Sequence, residues 1–171
     1  MIVIVKANFE HVNDIVIIGK QTFIESHGNS ASDEDVNKFN LKTYTKEAIK
    51  VDLENEKVQY HLIYFNNKVA GFSKIELDVS NENINQLKIT KLDKIYLLEE
   101  FYGHKLGPKL FDHIVTKSKR NDQKGMWLAV WIENQRAIKF YSKMGFIIVG
   151  AYDFKLSETH SNPNHIMYLE Y

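Results

Sequence analysis

Two stretches of this chain gather the residue types that do chemistry. The first is IYLLEEFYGHKLGPKLFDHI at 95–114, where an apolar segment passes through Gly103 and Gly107 directly into a helical pattern. The first N–H groups of a helix have no intrahelical partner, and with the helix dipole they form an anion site. Gly103 and Gly107 let the backbone approach a phosphate closely. His104, Lys105 and Lys109 add positive charge, and residues 101–125 hold six basic side chains against two acidic ones. A phosphate-bearing ligand suits this place. A plain helix start after a loop is the other reading, since two glycines in five residues are a weak motif. The second stretch is WLAVWIENQRAIKFYSKMGF at 127–146, an apolar strand followed by Asn134, a helix-capping type, and a helix that carries Tyr141 and Lys143.

The elements that must position these residues follow from periodicity. Residues 2–6 read as a strand, and Asn8 is placed to cap a helix with Val12, Ile15, Val16 and Phe23 on one face, stopped near Gly28. Ser32 to Asp35 has the form of a capping box ahead of a short helix with Val36 and Phe39. Thr45 caps a further helix with Ala48, Ile49 and Leu53. QYHLIYF at 59–65 and VAGFSKIEL at 69–77 flank Asn66-Asn67-Lys68 and predict a hairpin. A polar loop at 79–88 leads to the strand KITKLDKIYLL. Leu106, Leu110, Phe111, Ile114 and Val115 share one helical face, with Pro108 in the tolerant first turn. MWLAVW is a buried strand; the helix from Asn134 ends at Gly145; FIIVGAY and HIMYLEY are closing strands. The order β, helices, βββ, α, β, α, ββ predicts an α/β fold with helices flanking a central mixed sheet.

Composition narrows the partners. Of 171 residues, 44% are apolar and 26% charged, which suits one globular domain spanning 1–171. The absence of cysteine excludes disulfides, thiolate metal sites and a cysteine acyl-enzyme. No apolar run approaches the roughly 18 residues of a membrane span, and MIVIVKANFEH lacks the form of a signal peptide. A cytoplasmic protein without membrane contact is the expectation. The net charge of zero argues against a nucleic-acid binder, and no helix-turn-helix pattern is found. Charge is nonetheless divided: residues 1–100 carry 16 acidic and 12 basic side chains, residues 101–171 carry 6 and 10. The histidines show no metal-ligand spacing, so no metal is expected.

Asn134, Ala137, Phe140, Tyr141, Lys143, Gly145 and Phe146, in the pattern N-x-x-A-x-x-F-Y-x-K-x-G-F after a strand, resemble the GCN5-related N-acetyltransferases, the GNAT superfamily. Segment 95–114 then looks like that family's acyl-CoA pyrophosphate loop, Q/R-x-x-G-x-G/A. It departs from the pattern at Tyr102, where Gln or Arg is usual, and at Lys105, where the middle Gly is usual. A lysine there clashes if the position needs a positive φ. FIESHG, IYLLEEF, AVWIENQRAIKFY and FKLSETHSNPNHIM carry a looser likeness to bacterial spermidine/spermine N-acetyltransferases of the PaiA type. The resemblance implies a mostly antiparallel sheet that splays between strands 94–98 and 127–131.

The resemblance further implies direct acetyl transfer from acetyl-CoA, the acyl-donor substrate, to an amine. Backbone groups of Leu97 and Leu98 would pair with pantetheine amides as an added strand does, and an N–H near Leu97 would stabilise the oxyanion. Gly103, His104, Lys105, Leu106, Gly107, Pro108 and Lys109 would surround the diphosphate. Asn134 would cap its helix and still offer its amide to the cofactor. Lys143 would reach the 3′-phosphate or stay in solvent. Tyr141 would be the general acid, since a phenol of pKa about 10 can protonate a leaving thiolate. Candidates near the amine are His27, Glu76, Asp93 and Glu99. The acidic first half suits a polyamine or another small cationic amine. Protein or peptide acetylation and a CoA-binding regulatory module without turnover are the alternatives. A homodimer is open.

Overall fold

The computed structural model describes all of residues 1–171. Seven strands form one sheet: β1 (Ile2–Lys6), β2 (Val58–Phe65), β3 (Lys68–Glu76), β4 (Ile89–Leu97), β5 (Gly125–Trp131), β6 (Ile147–Lys155) and β7 (Ser161–Glu170). Their spatial order is β1-β2-β3-β4-β5-β7-β6. Five helices flank it: α1 (Val12–His27), α2 (Asp33–Thr43), α3 (Lys46–Glu54), α4 (Leu106–Arg120) and α5 (Gln135–Lys143). Every neighbouring pair is antiparallel except β4–β5, which is parallel because α4 carries the chain back across the sheet.

Local chemistry sets most boundaries. Ser32, Thr45 and Asn134 each cap a helix, accepting from the backbone N–H of Asp35, Ala48 and Ala137. Asn8 instead caps a single 3-10 turn, Phe9–His11, through Glu10 N–H at 3.0 Å, and α1 starts only at Val12. β7 begins at Ser161, four residues before the expected HIMYLEY strand. Pro163 sits near the strand's start, past the end of β5. The core has two principal parts. Ile15, Phe23, Leu62 and Phe72 pack α1–α3 on the first strands. Phe111, Ile114, Met126 and Leu128 pack α4 between β4 and β5.

Two irregularities open the sheet where the parallel pair meets. β4 and β5 pair only from Ile89–Lys91 to Gly125–Trp127, and then diverge. On the other side of β4, Lys74 opposes Lys94 and Ile75 opposes Leu92, so Asp93 is an extra, bulged residue. A bulge bends its strand and increases the local twist. The expected splay between 94–98 and 127–131 is therefore present.

Candidate active site

The splay opens a cavity of about 830 Å³, lined from β4, β5, the end of α1, α2, the starts of α4 and α5, and the facing ends of β6 and β7. Along β4 the backbone is divided between two sides. Leu98 N–H donates to Ala70 O at 3.0 Å, so it is spent in the sheet and not free for a ligand. Strand alternation then turns the N–H of Leu97 toward the open side.

The loop before α4 keeps its backbone donors and little else. Gly103 has φ +84°, a conformation that favours glycine. Lys105 lies in the left-handed region at φ +57°, ψ +26°, and no side chain caps the helix. The position therefore does need a positive φ, and lysine adopts it at a cost of about 1 kcal/mol. Leu106 is buried in the core, so only its N–H is available; Pro108 has none. No acidic residue stands in the first turn of α4. Gly107 lines the cavity, where a Cβ would come within 3.6 Å of the Phe140 ring and 3.7 Å of Leu97. Lys105 and Lys109 are exposed. His104 packs at a tilt on Phe65, ring centroids 4.6 Å apart, which takes its imidazole to the β2 side.

From α5, Asn134 and Tyr141 both reach the cavity, whereas Lys143 is exposed and outside its lining. Asn134 Oδ1 accepts from Ala137 N–H at 3.1 Å, which leaves the amide nitrogen free. The Tyr141 ring is held edge-on by Phe140 and Phe146 at 5.5 and 5.7 Å. Burial pushes its phenol up, so it keeps its proton.

Aromatic rings form the opposite end of the cavity. Phe154 meets Phe39 at 5.5 Å, Phe39 meets Phe23 at 4.9 Å, Phe23 stacks on His27 at 5.1 Å, and His27 meets Tyr96 edge-on at 5.9 Å. Tyr44 closes the chamber, with a buried hydroxyl that has no partner; His27 Nδ1 is likewise unpartnered. His160 Nε2 lies 2.9 Å from Ser30 O and 2.8 Å from Asn162 Oδ1, tying the β6–β7 turn to the α1–α2 loop. Burial, then Lys94, lowers His27 to about 4, so its imidazole is neutral.

The four candidates near the amine separate. His27, Asp93 and Glu99 line the cavity; Glu76 does not, and pairs with Lys74 at 3.3 Å. Asp93 is bound by Lys94 at 2.5 Å, Lys91 at 3.0 Å and Lys74 at 3.7 Å. Burial alone would raise its carboxyl; Lys94, Lys91 and Lys74 together hold it well below the usual carboxylate range. It is a counter-ion rather than a free base. Glu99 is exposed at the mouth, where its N–H donates to Glu25 Oε2 at 3.0 Å. Apart from Asp93, which its lysines neutralise, the carboxylates of the lining are Glu25, Glu82 and Glu99, and the walls around His27 are aromatic.

Sequence reasoning missed Glu25, Lys94, Tyr96, Tyr44 and Arg136, all of which line the cavity. Glu25 lay two residues from His27 in the FIESHG segment, and Tyr96 inside IYLLEEF. Nothing local marked Tyr44. Nowhere do three His, Cys, Asp or Glu side chains gather as a metal site requires.

Residues 24–146 match the acetyltransferase (GNAT) family. An uncharacterized N-acetyltransferase of Lactobacillus delbrueckii subsp. lactis is 26% identical over 156 residues, covering 91% of this chain and 90% of the relative. An uncharacterized N-acetyltransferase of Mycobacterium tuberculosis is 35% identical over 72 residues, 42% of this chain and 46% of that protein. The crystal structure of a PaiA N-acetyltransferase from Thermoplasma acidophilum in complex with coenzyme A superposes with TM-score 0.80 at 19% identity, covering 100% of this chain and 99% of that one.

Proposed function

The chain belongs to the acetyltransferase (GNAT) family and is an acetyl-CoA-dependent N-acetyltransferase; from that premise we propose that its acceptor is a primary amine of a small cationic molecule, foremost a polyamine such as PaiA-type enzymes take. The observation that carries this reading is the aromatic chamber with Glu25 and Glu99 at its mouth. Aromatic faces bury the alkyl chain of such a molecule. Two carboxylates at the rim favour a second ammonium that stays in contact with water.

The residues fit an acyl-CoA. Beyond Lys91, β4 has no partner on its β5 side, so Leu97 and its neighbours can pair with the amides of a pantetheine arm. The N–H groups of Leu106 and Gly107 at the start of α4 suit a diphosphate, and Asn134 lines the same cavity. Bound acetyl-CoA supplies an acyl group activated as a thioester. Leu97 N–H donates to the acyl oxygen as it gains charge. Tyr141, kept protonated by burial, gives its proton to the leaving sulfur and regains one from the amine nitrogen as the amide forms.

No carboxylate in the chamber is free to act as base. Aromatic walls and the nearby Lys91 and Lys94 instead disfavour an ammonium at the inner end. The reacting amine is bound neutral, its proton leaving toward the rim, while a distal ammonium stays charged at Glu25 and Glu99.

Initial rates of thiol release from acetyl-CoA test this reading across spermidine, spermine, butylamine, aminoglycosides, amino acids and peptides. Spermidine and spermine should outpace butylamine. Glu25→Gln with Glu99→Gln should raise KM for spermidine about fivefold to tenfold, at up to about 1 kcal/mol per exposed ion pair, with a smaller effect on butylamine. Selective turnover of peptides would contradict the polyamine reading. CoA binding without thiol release on any amine would point to a regulatory module.

A further inference from the structure

Arg136 lies in the first turn of α5, and its guanidinium carbon sits 3.4 Å from the centroid of the Tyr102 ring. Tyr102 ends the 3-10 turn Glu99–Phe101 that follows β4 and opens the loop before α4. Both side chains line the mouth of the cavity. None of the chain's ion pairs involves Arg136. A stacked guanidinium keeps its N–H donors in the plane of the fork, free for a further partner. One turn along α5, Phe140 approaches Gly107, so this face of α5 looks onto the open end of α4. That end has no acidic residue and no capping side chain. A cation held flat on a ring, without a carboxylate, beside free helix N–H groups matches a planar, bidentate phosphate contact.

Building on the acetyl-CoA reading, we propose that the Tyr102–Arg136 stack is a phosphate clamp for the cofactor. Tyr102 is the platform that fixes the guanidinium, and Arg136 makes the charge-assisted hydrogen bonds. The N–H groups of α4 and the fork from α5 then grip the same polyanion from two elements that the sequence separates by some thirty residues. The clamp acts on ground-state affinity and leaves the thioester chemistry to the deeper part of the cleft.

The test is calorimetric titration of the full-length chain with CoA, dephospho-CoA and pantetheine. Wild type, Arg136→Gln, Arg136→Lys and Tyr102→Leu are compared at low and high salt. Arg136 is exposed, and unchanged melting without ligand confirms that each variant is folded. Arg136→Gln should weaken CoA binding roughly tenfold to a hundredfold, the range for a lost hydrogen bond to a charged group. It should also flatten the salt dependence and leave pantetheine binding unchanged. Arg136→Lys should recover only part of the loss, and Tyr102→Leu should reproduce part of it with the arginine intact. If the loss vanishes with dephospho-CoA, the fork holds the 3′-phosphate; if it persists, the fork holds the diphosphate. Equal CoA affinity of wild type and Arg136→Gln would overturn the clamp alone. A wild-type chain that binds no CoA would overturn the clamp and the cofactor reading together.

Discussion

The two ends of the cavity are built differently. The end facing α4 is made mostly of backbone: one strand edge, one loop and one helix start, contiguous from β4 to α4. The aromatic end is made of side chains from α1, α2, β4, β6 and β7, held by contacts such as His160 to Ser30 across 130 residues. A backbone site tolerates change in most of its side chains as long as φ and ψ are kept, the Tyr102–Arg136 stack being the exception here. A side-chain site depends on every element that packs around it. The first suits a constant ligand part and the second a variable one.

Substitutions can break this contrast, and the largest effect is expected where the two ends meet. Tyr141→Phe should lower kcat by about 10² to 10⁴, the range for general acid catalysis, with KM for acetyl-CoA nearly unchanged. Steady-state kinetics at saturating amine would show it, and unchanged turnover would remove the role. Because burial raises the Tyr141 pKa, the wild-type enzyme should lose no activity to phenolate formation as pH rises to 10.

Next in size is the charge cluster beneath the chamber. Asp93→Asn leaves Lys74, Lys91 and Lys94 without their common counter-ion. Removing one partner of a buried ionic group costs about 3–5 kcal/mol. Urea unfolding should show that loss, and a change below about 1 kcal/mol would mean water already screens the cluster.

A pH titration of stability follows. His27 falls to about 4 in the fold from an ordinary 6.5. The unfolded chain therefore binds more protons between those values, so stability is full above pH 6.5 and is lost as pH falls toward 4. The loss attributable to this group is about 3 kcal/mol. Melting curves from pH 7 to 4 should show it, and His27→Gln should flatten the profile. His61, lowered to about 3 by burial and then by His113, adds a slope that survives in the variant. An equal slope in wild type and His27→Gln would remove His27 from the account.

The smallest effect concerns the backbone end. Lys105→Gly should leave CoA affinity unchanged and shift stability by less than about 1 kcal/mol, since relief of the left-handed strain is offset by glycine's greater unfolded freedom. A marked loss of affinity would show that the lysine side chain, and not its backbone, meets the phosphates.

The same contrast explains what could be read from the sequence. The helix caps at Ser32, Thr45 and Asn134, the hairpin at Asn66-Asn67 and the glycine loop are local, and each was legible in a few adjacent residues. The start of β7 was not, because Ser161 to Asn164 carry no apolar alternation and are drawn into the strand by pairing with β6. The aromatic chamber escaped for a similar reason. Phe23, Phe39 and Phe154 look like ordinary core residues, and only the fold brings them to one wall. Asp93 read as a candidate base because its three lysines come from β3 and from both sides of a bulge, which periodicity does not predict. The sign split along the chain suggested an acidic acceptor side, yet many of those carboxylates are spent on lysines or lie outside the cavity.

Hydrogen exchange with each ligand in turn tests the two-ended cleft most directly. CoA should protect amides at 95–98 and 103–109. Spermidine, added to the CoA complex, should protect the end of α1, the middle of α2 and residues 154–164, with little further change in the loop. A spermidine footprint on 103–109, or a CoA footprint centred on α1 and β7, would contradict the account.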